Sequence, residues 1–181
     1  MIRLTRRTLL AAAAVAALAP AATAETAAEI EANVDTALET LYATVQGSKE
    51  LAARARGVLI MPDVIKGGLI VGGSYGEGAL RVAGETVGYY SVASASIGYQ
   101  IGVQKTSHAI FFMTEKALTG FQNASGWELG ADAEFTVPGD GISLNLDSTT
   151  AKKPVIAIIF AQDGLLAGAS LKGAKYTKIK R

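Results

Sequence analysis

The sequence predicts an α+β fold: a mainly antiparallel, Gly-rich curved sheet or barrel with N-terminal helices and one internal helix. Three observations predict it. Ten of the 20 glycines fall between Gly67 and Gln104, inside strand patterns rather than between them. Glycine weakens a strand, so its repetition points to bulges, tight bends or a close approach of another backbone or a ligand. From Ser91 onward, Ala93, Ala95, Ile97, Tyr99, Ile101 and Val103 alternate with Ser94, Ser96, Gly98, Gln100, Gly102 and Gln104. Such period-two alternation belongs to a strand with one buried face. Finally, no repeated strand–helix–strand alternation is visible, which favours antiparallel connections.

The elements follow in order. Residues 1–24 read as an export signal. Arg3, Arg6 and Arg7 give a basic start, Leu9 to Ala19 is apolar, and Pro20 breaks the run. Ala22-Thr23-Ala24 is a small-x-small site, with cleavage after Ala24. Thr5-Arg6-Arg7-Thr8-Leu9-Leu10 fits a twin-arginine signal, the type that exports folded proteins. The expected location is therefore periplasmic or exported. Residues 25–181 form a single expected domain.

Glu25 to Val45 reads as an amphipathic helix, with Ile30, Val34, Leu38, Leu41 and Val45 on one side and Glu31, Asp35 and Glu39 on the other. Gly47 ends it. Ser48 is expected to cap a second helix, Lys49 to Arg56, which Gly57 closes. Val58 to Met61 is a short strand stopped by Pro62. Gly67 to Val82 is a long strand, and Glu85 to Val92 and Ala93 to Gln104 continue the sheet. His108 to Met113 is a buried strand by composition. Thr114 then caps a helix running to about Asn123, with Glu115 at its positive end. Trp127 to Val137 alternates most cleanly and ends at Pro138. Gly139 to Lys153 is a polar loop with one weak strand, Ile142 to Leu146. Val155 to Ala161 reads as a central strand, Asp163-Gly164 as a turn, and Leu165 to Tyr176 as the last strand.

Composition narrows the function. The chain has 17 basic and 16 acidic residues; without the three arginines of the signal, 14 face 16, a net charge of −2. That balance gives no general argument for nucleic acid. There is no cysteine, so there is no disulfide framework and no acylated cysteine. After cleavage no apolar run is long enough for a spanning helix. One histidine and no cysteine leave no zinc constellation. Asp140, Asn145 and Asp147 lack EF-hand spacing, and neither a phosphate loop nor a dinucleotide fingerprint is present. No cofactor is expected.

Gly72-Gly73-Ser74-Tyr75-Gly76 matches G-x-S-x-G, the nucleophile elbow of serine hydrolases, which needs a strand before it and a helix after it. The residues that follow look like more strand, so a hydrolase built on Ser74 is the third reading. The lone His108 reads as a histidine at a strand edge. Lys172, Lys175, Lys178, Lys180 and Arg181 are five basic groups within ten residues. Such an edge can hold anionic headgroups or keep an edge strand from aggregating. Lys49, Arg54, Arg56 and Lys66 form an alternative basic patch. Faces lined by Gly72, Ser74, Gly98, Gly168 and Ser170 are either a shallow channel or the seat of a closely packed helix.

Five stretches carry a family resemblance. They are Ala55-Arg56-Gly57-Val58-Leu59-Ile60-Met61-Pro62, Gly72-Gly73-Ser74-Tyr75-Gly76-Glu77-Gly78, Ser94 to Gln104, Trp127-Glu128-Leu129-Gly130-Ala131-Asp132, and Gly164 to Gly173. In this order, over about residues 33 to 180, the chain resembles the SYLF-domain family of lipid-binding modules. The resemblance implies a non-enzymatic module that contacts anionic phospholipid. Eukaryotic relatives bind phosphoinositides, and some bind actin filaments beside an SH3 domain. An exported chain has no actin to meet, so actin binding is not expected here. Membrane contact in eukaryotic relatives is attributed to a basic amphipathic N-terminal segment. Here Glu25 to Val45 contains no Lys or Arg, which moves the expected headgroup contacts to Lys172, Lys175, Lys178, Lys180, Arg181, Arg54, Arg56 and Lys66. The runner-up is a protein-interaction or structural scaffold of the envelope.

Overall fold

The computed structural model describes residues 24–68, 71–97, 103–129, 134–136, 153–163, 171 and 173–181. Apart from Ala24, the expected export signal lies outside them, as do the expected strand Ile142 to Leu146 and residues 164–170.

Helix α1 spans Ala27–Thr44. Thr26 caps it through a reciprocal box with Glu29, whose carboxylate accepts from Thr26 N at 2.7 Å. Ile30, Val34, Ala37 and Leu41 are its buried stripe, close to the expected one. Helix α2 spans Ser48–Arg54. Ser48 does not cap it. Gly47 holds that position with φ +86°, a left-handed turn that suits glycine. The Ser48 hydroxyl donates instead to Leu41 O at 3.1 Å, a second bond to a carbonyl that also accepts from Val45 N at 2.9 Å.

Strands β1 (Gly57–Gly68), β2 (Val71–Val82), β3 (Glu85–Ile97) and β4 (Val103–Phe112) follow. Helix α3 (Glu115–Asn123) has Thr114 as its cap, as expected, with the hydroxyl accepting from Ala117 N at 3.2 Å. Then come β5 (Trp127–Glu128), β6 (Glu134–Thr136), β7 (Val155–Asp163) and β8 (Lys175–Ile179). Among the described residues they form one sheet in the order β5-β8-β3-β2-β1-β4-β7-β6. Every pairing is antiparallel except β6 with β7. The α+β class with an antiparallel curved sheet is therefore correct.

Several boundaries differ from expectation. Pro62 does not stop β1, which runs on to Gly68 through a bulge. The expected strand Gly67 to Val82 is two antiparallel strands, with Gly67 and Gly68 ending β1 opposite Gly73 and Gly72. The run beginning at Trp127 is divided: β5 and β6 lie at opposite edges of the sheet. Alternation alone cannot say which neighbour a strand takes.

The sheet curls strongly. β8 and β4 are separated by three strands, roughly 19 Å if the sheet were flat. Yet the Tyr176 hydroxyl on β8 lies 2.9 Å from His108 Nε2 on β4. Two features bend it. Asp63 on β1 and Ala161 on β7 take positive φ, +46° and +48°, on either side of β4. Each marks a register shift, and bulges bend and twist a strand. Glycine permits the rest: a Cβ on Gly78 would sit 2.0 Å from Ile60 O, closer than any side chain tolerates.

Both faces carry a core. On the convex face α1 covers Val58, Ile60, Ala79, Ala109, Phe111, Ile156, Ile158 and Phe160. On the concave face Leu59, Met61, Leu80, Tyr90, Ile110 and Phe112 meet Leu118 and Phe121 of α3. Trp127 lies edge-on to Phe112 and Phe121 there, at 5.8 and 5.3 Å. One polar cluster fastens α1 to the sheet. Glu31 accepts from Arg81 at 2.7 Å, Thr86 at 3.1 Å and Tyr89 at 2.9 Å, and Asp35 pairs with Arg81 at 2.7 Å. These acids, expected on the free face of the helix, bind it down.

Candidate functional site

Beyond the bulges the same strands present a different surface. Val64, Lys66, Ser74, Ser94, Gln104, Thr106 and His108 line a concave cleft of about 40 Å³ with Val92, Ile159, Leu171 and Ala174. Register explains the gathering. Gln104 pairs with Lys66, Lys66 with Ser74, and Ser74 with Ser94, so one polar row crosses β4, β1, β2 and β3. Ser74 and Ser94 share a hydrogen bond of 2.6 Å. Gln104 is 4% exposed and His108 1%. Gln104 Nε2 and His108 Nδ1 are buried without a hydrogen-bond partner. Burial pushes the His108 pKa down to about 3, so the ring is neutral, and burial also raises the Tyr176 hydroxyl beside it. His108 is thus not at a strand edge but inside, between β1 and β7.

The opposite, convex row is its inverse. Lys105 pairs with Ile65, Ile65 with Tyr75, Tyr75 with Ala93, and Ala93 with Lys175. Directly opposed residues share a face, so this row runs across five strands with apolar groups in the middle and a lysine at each end. Here α1 no longer covers the sheet. Ile65 is 49% exposed, Tyr75 53% and Val103, nearby on β4, 72%. Lys105 lies 3.4 Å from Asp63, an open ion pair worth little in water.

Where the run from Ser91 to Gln104 is described, at Ala93 to Ala95 and at Val103 and Gln104, the alternation is present but its faces are reversed. Ala93, Ala95 and Val103 face solvent, while Ser94 is partly buried and Gln104 buried. Ile65, Tyr75 and Lys105 were missed as candidates because only strand pairing brings them together. The signal that could have found them was an apolar alternation whose partner residues were polar enough to line a cleft.

The expected headgroup residues are scattered. Lys175, Lys178 and Lys180 are exposed on or just after β8, as are Arg54 and Arg56 in and after α2. Lys66 lines the concave cleft, on the face opposite the α2 patch with which the sequence grouped it. Lys172, Arg6 and Arg7 lie outside the described residues. Arg181 is engaged: its guanidinium binds both carboxylate oxygens of Glu77, a residue only 5% exposed, with the Nε contact at 2.9 Å. Burial pulls the Glu77 carboxyl upward, but hydrogen bonds from Arg181 and Tyr75 outweigh it and hold it below the usual range. Tyr75, which donates to Glu77, is pushed up to about 12 by burial and by that hydrogen bond.

Ser74 lies within β2, which continues as strand to Val82. The strand–turn–helix context of a nucleophile elbow is not what surrounds it. No group of metal-ligating side chains occurs among the described residues.

Residues 93–181 match the family model described as Ysc84, Las17-binding protein actin regulator. They belong to the SYLF family. The matched part runs from Ala93 through β8 and contains Ser94, Gln104, His108 and Tyr176, while Lys66 and Ser74 come from strands before it. Three of the five stretches that carried the resemblance lie in it, and Ala55 to Pro62 and Gly72 to Gly78 do not. No curated protein matches the chain. A SYLF domain fits a binding module rather than an enzyme.

Proposed function

We propose that this SYLF protein is a periplasmic or exported, non-enzymatic module that contacts anionic phospholipid, peripheral to a membrane. The observation that carries the reading is the convex row Lys105–Ile65–Tyr75–Ala93–Lys175, with Val103 beside it. Contiguous exposed apolar side chains rimmed by charge mark interaction surfaces. Ile65, Tyr75 and Val103 enter the boundary between headgroups and acyl chains, and the two lysines meet phosphate. Each lysine near an anionic surface contributes about 1 kcal/mol. Among the expected headgroup residues, Lys175 belongs to this surface, with Lys178 and Lys180 close in sequence. No helix among the described residues is long and apolar enough to cross a membrane, in keeping with peripheral contact.

The family description names a protein partner, Las17, for other members. An exported chain has no actin to meet, and lipid is the partner that fits an apolar strip flanked by lysines.

Co-sedimentation with neutral and anionic vesicles at low and high salt tests this. The expected result is pelleting with anionic vesicles only, weakened by salt, and lost in the double variant Lys105→Glu, Lys175→Glu. Equal pelleting with neutral vesicles, or a double variant that pellets like the parent, overturns the headgroup contacts. No pelleting, with a protein partner recovered from envelope extracts, supports the scaffold reading instead.

A further inference from the structure

The concave cleft lies on the other side of the sheet from the lipid-facing row and asks for its own occupant. Its chemistry is one-sided. Gln104 Nε2 brings two N–H donors, buried and unused. Lys66 adds a cation directly opposite in the register. The hydroxyls of Ser74 and Ser94 complete the row. Among the described residues no carboxylate lines the cleft. A buried donor without a partner is costly, so the fold keeps here a cost that an acceptor would remove. A cation is disfavoured by Lys66. The space, about 40 Å³, exceeds the roughly 10–15 Å³ that one water requires. It admits a group of a few heavy atoms and no more. Val92, Ile159, Leu171 and Ala174 supply an apolar margin beside the donors.

We propose that this cleft is a carboxylate-binding site, with Gln104 and Lys66 gripping the two oxygens and Ser74 and Ser94 at their side. His108 forms the neutral floor, held by Tyr176. The carboxylate belongs either to a short free acid or to the head of a fatty acid. The site is independent of the surface lysines, so it stands or falls apart from vesicle binding.

The protein carries its own reporter. Trp127 is the single tryptophan, and its ring lies 5.8 Å from that of Tyr176, which bonds to His108. Trp127 emission and calorimetry on the full chain, titrated with acetate, dodecanoate and dodecanol, give the test. The expected result is saturable binding of a carboxylate and none of dodecanol. Lys66→Gln and Gln104→Leu each weaken it at least tenfold, with melting temperatures near that of the parent. Lys105→Glu, Lys175→Glu leaves it within twofold. Acetate and dodecanoate binding alike identify a small acid as the source, whereas dodecanoate binding tenfold tighter identifies a fatty acid. Three results overturn the proposal: no saturable response to either acid, dodecanol binding as well as dodecanoate, or affinity unchanged in both variants.

Discussion

Strands β1, β2 and β4 each pass through two environments. In the half near α1, alternate residues are buried on both faces: Ile60, Ala79 and Phe111 under the helix, and Leu59, Leu80 and Phe112 among the aromatic rings. Most polar groups there are matched, with Glu31 meeting three partners and Arg81 two carboxylates through Nη2, and Arg81 Nε alone left buried without a partner among the described residues of that cluster. Past Asp63 and Ala161 the pattern turns inside out, with Ile65 and Tyr75 outside and Lys66, Ser74 and Gln104 inside. The first half is organised to hold together. The second keeps an uncovered apolar strip and unused buried donors, features that stability alone does not explain. The difference teaches that one sheet can assign structure and binding to the two ends of the same strands.

Substitutions can break that contrast. The largest effect belongs to the closed half. Leu41→Ala removes a fully buried side chain under the convex face and is expected to cost about 2–5 kcal/mol in chemical denaturation. A loss under 1 kcal/mol would mean that α1 is not integral to the fold.

The next effect lies at the boundary and depends on pH. His108 ordinarily titrates near 6.5 but is held to about 3 in the fold. Its neutral form is therefore the folded form, and the unfolded chain takes up the proton first. Stability should be full above pH 6.5 and fall as pH drops toward 3, by at most about 1.4 kcal/mol per unit. Glu29, Glu31 and Glu77 are held below their ordinary value of 4.5 and begin to cost stability only as pH approaches it, so His108→Gln should flatten the stability–pH curve between pH 6.5 and about 5.5. A variant that keeps the parent's slope would place the proton elsewhere.

Glu31→Gln comes third. It weakens the contacts to Arg81, Thr86 and Tyr89, and the sites are partly open, 30% exposed for Glu31 and 20% for Arg81. A loss of about 1 kcal/mol is expected in the melting curve. The smallest stability effect, within about 0.5 kcal/mol, should come from Ile65→Ser in the open half, although vesicle pelleting should fall. An Ile65→Ser variant that unfolds early would show the exposed strip to be structural after all.

Much of the closed half was legible in the sequence. Helix α1 announced itself by spacing, and Thr114 capped α3 where a threonine before an acidic first turn should. The strand–strand boundary at Gly67 and Gly68 was hidden because a glycine pair reads equally as bulge or turn. The division between Trp127 and Glu134 was hidden because pairing partners are non-local. The open half misled for a definite reason. The inference from apolar to buried assumes that the apolar face is the covered one, and Ala93, Ala95 and Val103 violate it. Lys175 was found from charge clustering, whereas its row-mates Ile65, Tyr75 and Lys105 required the register.

The pairing of β8 with β3 has a consequence for the order of events in folding. Val92 pairs with Tyr176 and Ser91 with Thr177, contacts between distant parts of the chain. Such contacts slow folding because a long loop must close first. Strands β1, β2 and β3 can assemble as successive neighbours and β4 joins the other side of β1, but the concave interior has no far wall until β8 arrives. During synthesis the cleft and the aromatic core beside it are completed last, and the bond between His108 and Tyr176 is the mark that the domain has closed.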